Sequence, residues 1–359
     1  LLGTSLTAGE MIKILNDLGF ENEGEKIIVP SWRGDVEHYS DLAEEVARFF
    51  GYNNIPTLFT GAISSCGGFS PVQSYERHIG EVCRGMAMDE IITYSFISPS
   101  YYDKIRLPAD SPVRDSLKIL NPLGEDTSIM RGTVLPSMLE ILSRNYNYRN
   151  AAARLYEIGK IYKKRPDGLA DEPKIISIGA YGSDVDFFVF KGFVEKLINS
   201  INPNAQVKYA ADTENPSYHP GRCAKVSVDG IDVGVFGQIH PLVAGNYSIN
   251  TEVFCAELSF EALFEVQAGL PTYKPLPKYP SASRDIAVVC DKTVPVGNLM
   301  ECILSSGCDC LKGCKVFDVY QGHHIEEGKK SVAFSLTMRS DEHTVTDSEV
   351  SAVVARVLD

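Results

Sequence analysis

Apolar side chains recur at Met11, Ile14, Leu15 and Leu18, the spacing of one helix face. Thr7 and Glu10 stand three apart as a T-x-x-E capping box, Leu6 and Met11 can staple the entry, and Gly19 sits where a helix-ending glycine belongs. The apolar run Ile27, Ile28, Val29 stops at Pro30, which suits a strand leaving its sheet. Leu42, Val46 and Phe49 then predict a second helix over 41–50, closed by Gly51. Two short helices around a strand make a small helical, winged-helix-like module over 1–65.

Gly61, Gly67, Gly68 and Pro71 predict a connection over 57–71. Beyond it, helical periods over 73–86, 135–146 and 190–201 alternate with strand-like runs over 90–96, 153–161, 175–181, 224–228, 233–238 and 253–258. Runs of strands broken by few helices predict an antiparallel α+β domain over 66–270 rather than a doubly wound parallel sheet. Pro271, Pro275, Pro277 and Pro280 mark a second boundary. Residues 271–359 read strand 285–290, helix 296–304, strands 314–320 and 331–339, and a helix opening at Thr346. That βαββα order is ferredoxin-like, lacking its last strand. The fold class is therefore α+β and multidomain.

A length of 359 residues fits two or three domains, and 44% hydrophobic with 23% charged residues is ordinary for a folded chain. No apolar run is long enough to span a bilayer, and Leu1 to Glu10 lack a signal-peptide pattern, so a cytoplasmic address is expected. Nine cysteines, an odd count without a C-x-x-C, argue for free thiols in a reducing compartment. The net charge of −13 argues, on composition alone, against a partner bound chiefly through its phosphates.

The sharpest chemical pattern is acidic. Asp35, Asp41, Glu44 and Glu45 would repel one another if gathered at a point, unless a hard cation such as Mg²⁺ neutralised them. The alternative is local: Asp41 and Glu44 as a D-x-x-E capping box, and Glu44 with Arg48 as an i,i+4 pair. Cys302, Cys308, Cys310 and Cys314, with His323 and His324, are spread too widely for ordinary zinc spacing and read better as small core residues. The segment His219 to Arg222 reads as a turn with one cation. No phosphate-binding glycine loop, G-x-S-x-G or H-E-x-x-H is present.

Several stretches together resemble the beta subunit of bacterial phenylalanyl-tRNA synthetases. VPSWRGDVEHYSDLAEEVARFFGYNNIP resembles its small helical module. NPLGEDTSIMRGTVLPSMLEILSRN, LYEIGKIY, FKGFVEKL, HPGRCAKV and GVFGQIHP resemble its class II catalytic-like domain. YPSASRDIAVV, VFDVYQG, GKKSVAFSLT and HTVTDSEV resemble its ferredoxin-fold anticodon-binding domain. The family's oligonucleotide-fold and editing modules have no counterpart in these residues, so the chain looks like a C-terminal fragment.

The resemblance implies a Mg²⁺ ion at Asp35, Asp41, Glu44 and Glu45, shared with an alpha subunit. It also implies a tetramer of two alpha and two beta subunits, ATP and phenylalanine bound on alpha, and tRNA(Phe) as partner. The catalytic-like domain is expected to be a scaffold without catalytic residues, leaving this chain inactive alone. Lys278, Arg284, Lys329, Lys330 and Arg339 are the expected tRNA-contacting cations, with Tyr279, Phe317 and Tyr320 available for base stacking. Two other readings stand beside it: a stand-alone RNA-binding or assembly module, and a carboxylate–metal hydrolase centred on Asp35 and Asp41.

Overall fold

The computed structural model describes residues 1–24, 26–57, 67–268, 273, 275–306 and 309–358. They form two compact units, Leu1–Ser200 with Gln206–Glu265, and Ile201–Ala205 with Val266–Asp359. The expected joints at 65/66 and 270/271, with Gly61, Pro271 and Cys308, lie outside the described residues.

The first unit opens with α1 (Ala8–Asp17), the hairpin β1 (Glu21–Glu23) and β2 (Lys26–Ile28), and α2 (Tyr39–Phe50). The capping box holds, with the Thr7 amide donating to Glu10 at 2.8 Å and the Glu10 amide to the Thr7 hydroxyl at 3.4 Å. Gly19 leaves the helix at φ +90°, open to glycine at little cost. Leu15, Phe20, Val36 and Val46 form the core here, with Leu6, Met11 and Leu42 packed against it.

Next comes α3 (Pro71–Gly85). Pro71, expected in a connection, instead opens this helix behind a Ser70–Gln73 capping box, a position that does not need its missing N–H. Then follow β3 (Asp89–Glu90), β4 (Phe96–Ile97), α4 (Ser100–Lys104), β5 (Ile129–Met130), α5 (Leu135–Asn147), β6 (Ala153–Lys160), β7 (Lys163–Lys164), β8 (Ala170–Asp171) and β9 (Lys174–Tyr181). The unit continues with α6 (Phe187–Ile201), β10 (Val207–Ala211), β11 (Tyr218–Val228), β12 (Ile231–Ile239), α7 (Pro241–Asn246), β13 (Phe254–Ser259) and α8 (Phe260–Glu265).

Seven of these strands make one sheet in the order β10-β11-β12-β13-β9-β6-β3. Every pairing is antiparallel except β3 on β6. Met138, Leu139 and Leu142 of α5 are fully buried in its core. Three expectations need correction. β10 was not anticipated. His219 to Arg222 form no turn but lie inside β11, where the register jumps between Tyr218 and Cys223 as a bulge. The run over 90–96 is two strands, β3 and β4.

The second unit holds β14 (Ala282–Asp291), α9 (Val296–Ser305), β15 (Leu311–Tyr320), β16 (Lys329–Met338) and α10 (Asp347–Leu358). Its sheet runs β14-β16-β15, all antiparallel, so the βαββα order is as expected. Val332, Phe334, Leu336 and Met338 alternate along β16 and are buried with Ile303 of α9 and Val350 and Val353 of α10. The helices thus cover one face of this sheet. Among the described residues no helix is long and apolar enough to cross a membrane.

Candidate functional site

The acidic cluster is organised by a cation that the spacing argument passed over. Arg33 donates from Nε to Asp35 Oδ1 at 2.9 Å, and its Nη2 lies 2.7 Å from both Asp35 Oδ2 and Glu45 Oε1. Arg48 pairs with the other Glu45 oxygen. The Glu45 side chain is only 9% exposed, so its charge sits where two guanidinium groups are worth most. Both carboxylates are held below their ordinary range, Asp35 at about 2, chiefly by hydrogen bonds from Arg33.

Asp41 is used differently. Helix α2 begins two residues earlier than expected, so His38 is its N-cap and Asp41 its third residue. The Asp41 carboxylate accepts from the Glu37 and His38 amides at 2.9 and 2.7 Å, and these bonds lower its pKa. The expected Asp41–Glu44 box and Glu44–Arg48 pair do not form, because the helix start has shifted and Arg48 reaches Glu45 instead. Glu44 is exposed. Among the described residues no group of three or more His, Cys, Asp or Glu side chains is arranged to hold a metal ion. Cys290, Cys310 and Cys314 are free and half-buried against the core of the second unit, while Cys302 is free and exposed.

The most enclosed charges are Arg131, just past β5, and Glu157 on β6 of the seven-stranded sheet. Arg131, 1% exposed, donates to Glu157 at 3.0 Å, to the Thr93 hydroxyl at 2.6 Å and to the Lys160 carbonyl at 2.8 Å. Glu157, 3% exposed, also accepts the Thr93 hydroxyl at 2.7 Å. Gly159 makes room, since a Cβ there would stand 2.4 Å from Arg131 Nη2. Glu257 on β13 accepts from the Thr133 hydroxyl and from the Val134 and Leu135 amides at 2.7 and 3.1 Å, capping the start of α5 from across the sheet. Burial pushes its pKa up in spite of those bonds. These groups have hydrogen-bond partners within the fold.

In the second unit the five expected cations differ in exposure and partners. Lys278 is exposed, and Arg284 pairs with Asp347 at 3.3 Å and Lys329 with Glu326 at 2.7 Å. Lys330, 8% exposed, turns inward and donates to the Lys292 and Val294 carbonyls at 3.1 and 2.5 Å. Arg339 is half-buried at the end of β16. Lys329 and Lys330 are neighbours on a strand, so they face opposite sides.

Sequence reasoning named Tyr320 for base stacking but missed the open sheet face on which it stands. Ser283, Asp285, Ala287 and Val289 of β14 stand beside Thr337, Ser335, Ala333 and Ser331 of β16, the phase opposite to the buried row. A bulge at Phe317 in β15 then sets Asp318 beside Ala333 and Tyr320 beside Ser331. The Ser283 and Ser335 hydroxyls meet at 3.1 Å, in keeping with one shared face. Tyr320, 44% exposed, lies against Gly322, where a Cβ would come within 2.1 Å of its hydroxyl. Small residues make a flat floor, with an aromatic ring and a carboxylate at its edge. Period-two counting through 314–320 would have found it once the bulge was allowed for.

Three family models match successive stretches of the chain. The family model described as the phenylalanyl tRNA synthetase beta chain CLM domain matches residues 55–260. The models for a tRNA synthetase B5 domain and a ferredoxin-fold anticodon binding domain match residues 1–52 and 277–359. The phenylalanine–tRNA ligase beta subunit of Clostridium tetani is 40% identical over 363 residues, covering 99% of this chain and 46% of its own. That of Clostridium acetobutylicum is 38% identical with the same coverage, and that of Bacillus licheniformis is 36% identical over 374 residues, 100% of this chain and 46% of its own. The chain thus spans about half the length of the curated relatives it matches.

Proposed function

The chain belongs to the phenylalanyl-tRNA synthetase beta-chain family, and on that premise we propose that it serves as part of the beta subunit of a phenylalanine–tRNA ligase. The ligase attaches phenylalanine to tRNA(Phe) at the expense of ATP in an assembly of two alpha and two beta subunits in the cytoplasm. The chain contributes three modules, over 1–65, 66–270 and 271–359: winged-helix-like, class II synthetase-like and anticodon-binding. Phenylalanine and ATP bind on the alpha subunit.

The observation that carries this reading is an apolar row on the edge of the seven-stranded sheet. Ile92, Tyr94 and Phe96 are 92%, 82% and 45% exposed, and they line a cleft of about 330 Å³ with Tyr101, Glu140 and Arg144. Leu120 and Leu123 are fully exposed in the same unit. Large apolar side chains grouped in the open favour a partner protein. The open face of the second unit supports the tRNA role: Tyr320 offers a ring for an unpaired base, and Asp318 an acceptor for its edge.

The acidic cluster as arranged does not fit a magnesium ion, because Arg33 occupies the space between Asp35 and Glu45 and Asp41 is spent on backbone amides. A Mg²⁺ shared with the alpha subunit requires Arg33 to leave and the partner to supply ligands, so no step is routed through it. The test is co-expression with an alpha subunit followed by aminoacylation of tRNA(Phe). Charging is expected from the assembly and no phenylalanine-dependent pyrophosphate exchange from this chain alone. Robust exchange by the lone chain would refute the scaffold role.

A further inference from the structure

Along residues 91–97 alternate side chains face opposite ways: Thr93 and Ser95 point into the fold, while Ile92, Tyr94 and Phe96 point out. Regular pairing with β6 ends where the Ile91 amide donates to the Tyr156 carbonyl at 2.9 Å. At the next inward position the Thr93 amide goes to the Glu157 side chain, at 3.3 Å, and not to the β6 backbone. The segment is then picked up by β5, with the Arg131 amide donating to the Ser95 carbonyl at 2.9 Å. That handover breaks the expected 90–96 run into two strands. It also leaves Thr93, midway between Ile92 and Tyr94, held from behind by Arg131 and Glu157.

A buried ion pair is a poor source of stability, because desolvating both charges offsets most of their attraction. Its best-attested use is to fix one arrangement among several. Here the pair fixes an edge segment that has left the sheet ladder and carries exposed apolar side chains. We propose that Arg131 and Glu157, acting through the Thr93 hydroxyl, are positioning residues that hold the Ile92–Tyr94–Phe96 row ready for the partner subunit. The proposal rests on the assembly reading above. Ordering a strand on binding costs conformational entropy, and a segment already ordered binds without that cost.

The experiment uses this chain and an alpha subunit, with association followed by surface plasmon resonance and hydrogen exchange read by mass spectrometry on the free chain. Thr93→Val keeps the shape and removes the hydroxyl, Thr93→Ser restores it, and Glu157→Gln is a second route should the valine variant fail to fold. Thr93→Val is expected to weaken association about tenfold, mainly through a slower on-rate, and to speed exchange at residues 92–96 alone, with serine restoring both. Wild-type association and exchange in Thr93→Val overturn the proposal. So does a loss of protection spread evenly over the whole sheet, which marks a general structural role. If the wild-type chain itself does not bind the alpha subunit, the assembly reading fails first, and the two failures are told apart.

Discussion

The guanidinium of Arg33 lies 2.7 Å from the enclosed carboxylate of Glu45, twelve residues further along the chain. A cation already built into the fold does there what a bound metal would otherwise do, neutralising charge that its surroundings shield poorly. The clustering of acids in the sequence is real, but it is resolved by side chains of this chain.

The Arg33 contact sets a pH dependence. Asp35 is depressed from its ordinary 3.8 to about 2, so its pairing stabilises the fold above the ordinary value and is lost as pH falls through about 2. In Arg33→Met the carboxyl should return toward its ordinary range. Carboxyl-carbon NMR at pH 3 is expected to find Asp35 ionised in the wild type and largely protonated in the variant. Equal protonation in both would remove Arg33 as the cause.

The open sheet face and the buried lysine should separate cleanly in RNA binding. Tyr320→Ala is expected to weaken binding of a tRNA(Phe) anticodon stem-loop by about 1–3 kcal/mol, the worth of one base stacked on an aromatic ring. Lys330→Ala should leave the salt dependence of binding unchanged and instead destabilise the second unit by about 1–3 kcal/mol, because two carbonyls lose their donor. Fluorescence titration across a salt series and thermal melts read the two effects. A reduced salt slope in Lys330→Ala would return that lysine to the RNA surface.

What could be read from the sequence was whatever depends on near neighbours. Thr7 with Glu10, the stripe through Leu15 and the βαββα order are local patterns, and each stands in the structure as expected. The failures lie where a distant group overrides the local pattern. The run over 90–96 breaks because Thr93 bonds to a carboxylate 64 positions away. Lys329 and Lys330 look like one patch until the strand turns them to opposite faces. The Asp318–Tyr320 face was hidden by one bulged residue that shifts the phase of alternation. Arg33 reaches Glu45 twelve positions away, a pairing that no local spacing of carboxylates displays.

Glu257 should behave as a cap supplied from across the sheet. Glu257→Ala leaves the Thr133 hydroxyl and two amides at the start of α5 without their acceptor, at an expected cost of about 1–3 kcal/mol. Its pKa is raised by burial, so the ionised form is disfavoured in the folded state and this penalty grows as pH rises above the ordinary value. Glu257→Gln removes the titration. Denaturant melts from pH 4 to 7 should therefore find the wild type losing stability relative to Glu257→Gln as pH increases, and a constant difference would rule out the titration.

The Arg131–Glu157 pair is enclosed on both sides, its side chains 2% and 5% exposed. Removing one member strands a charge where almost no water reaches, so Arg131→Met alone should cost about 3–5 kcal/mol. Replacing both, Arg131→Met with Glu157→Met, removes the stranded charge and should recover much of that loss, because apolar side chains of similar volume fill such a site well. The double variant should still fail to hold Thr93, which then lacks both of its side-chain partners. Recovery of the melting point without recovery of alpha-subunit association would separate stability from positioning. Double-variant stability equal to the sum of the single losses would mean that the two charges act independently, and that their opposition across 3.0 Å has little to do with how this edge is held.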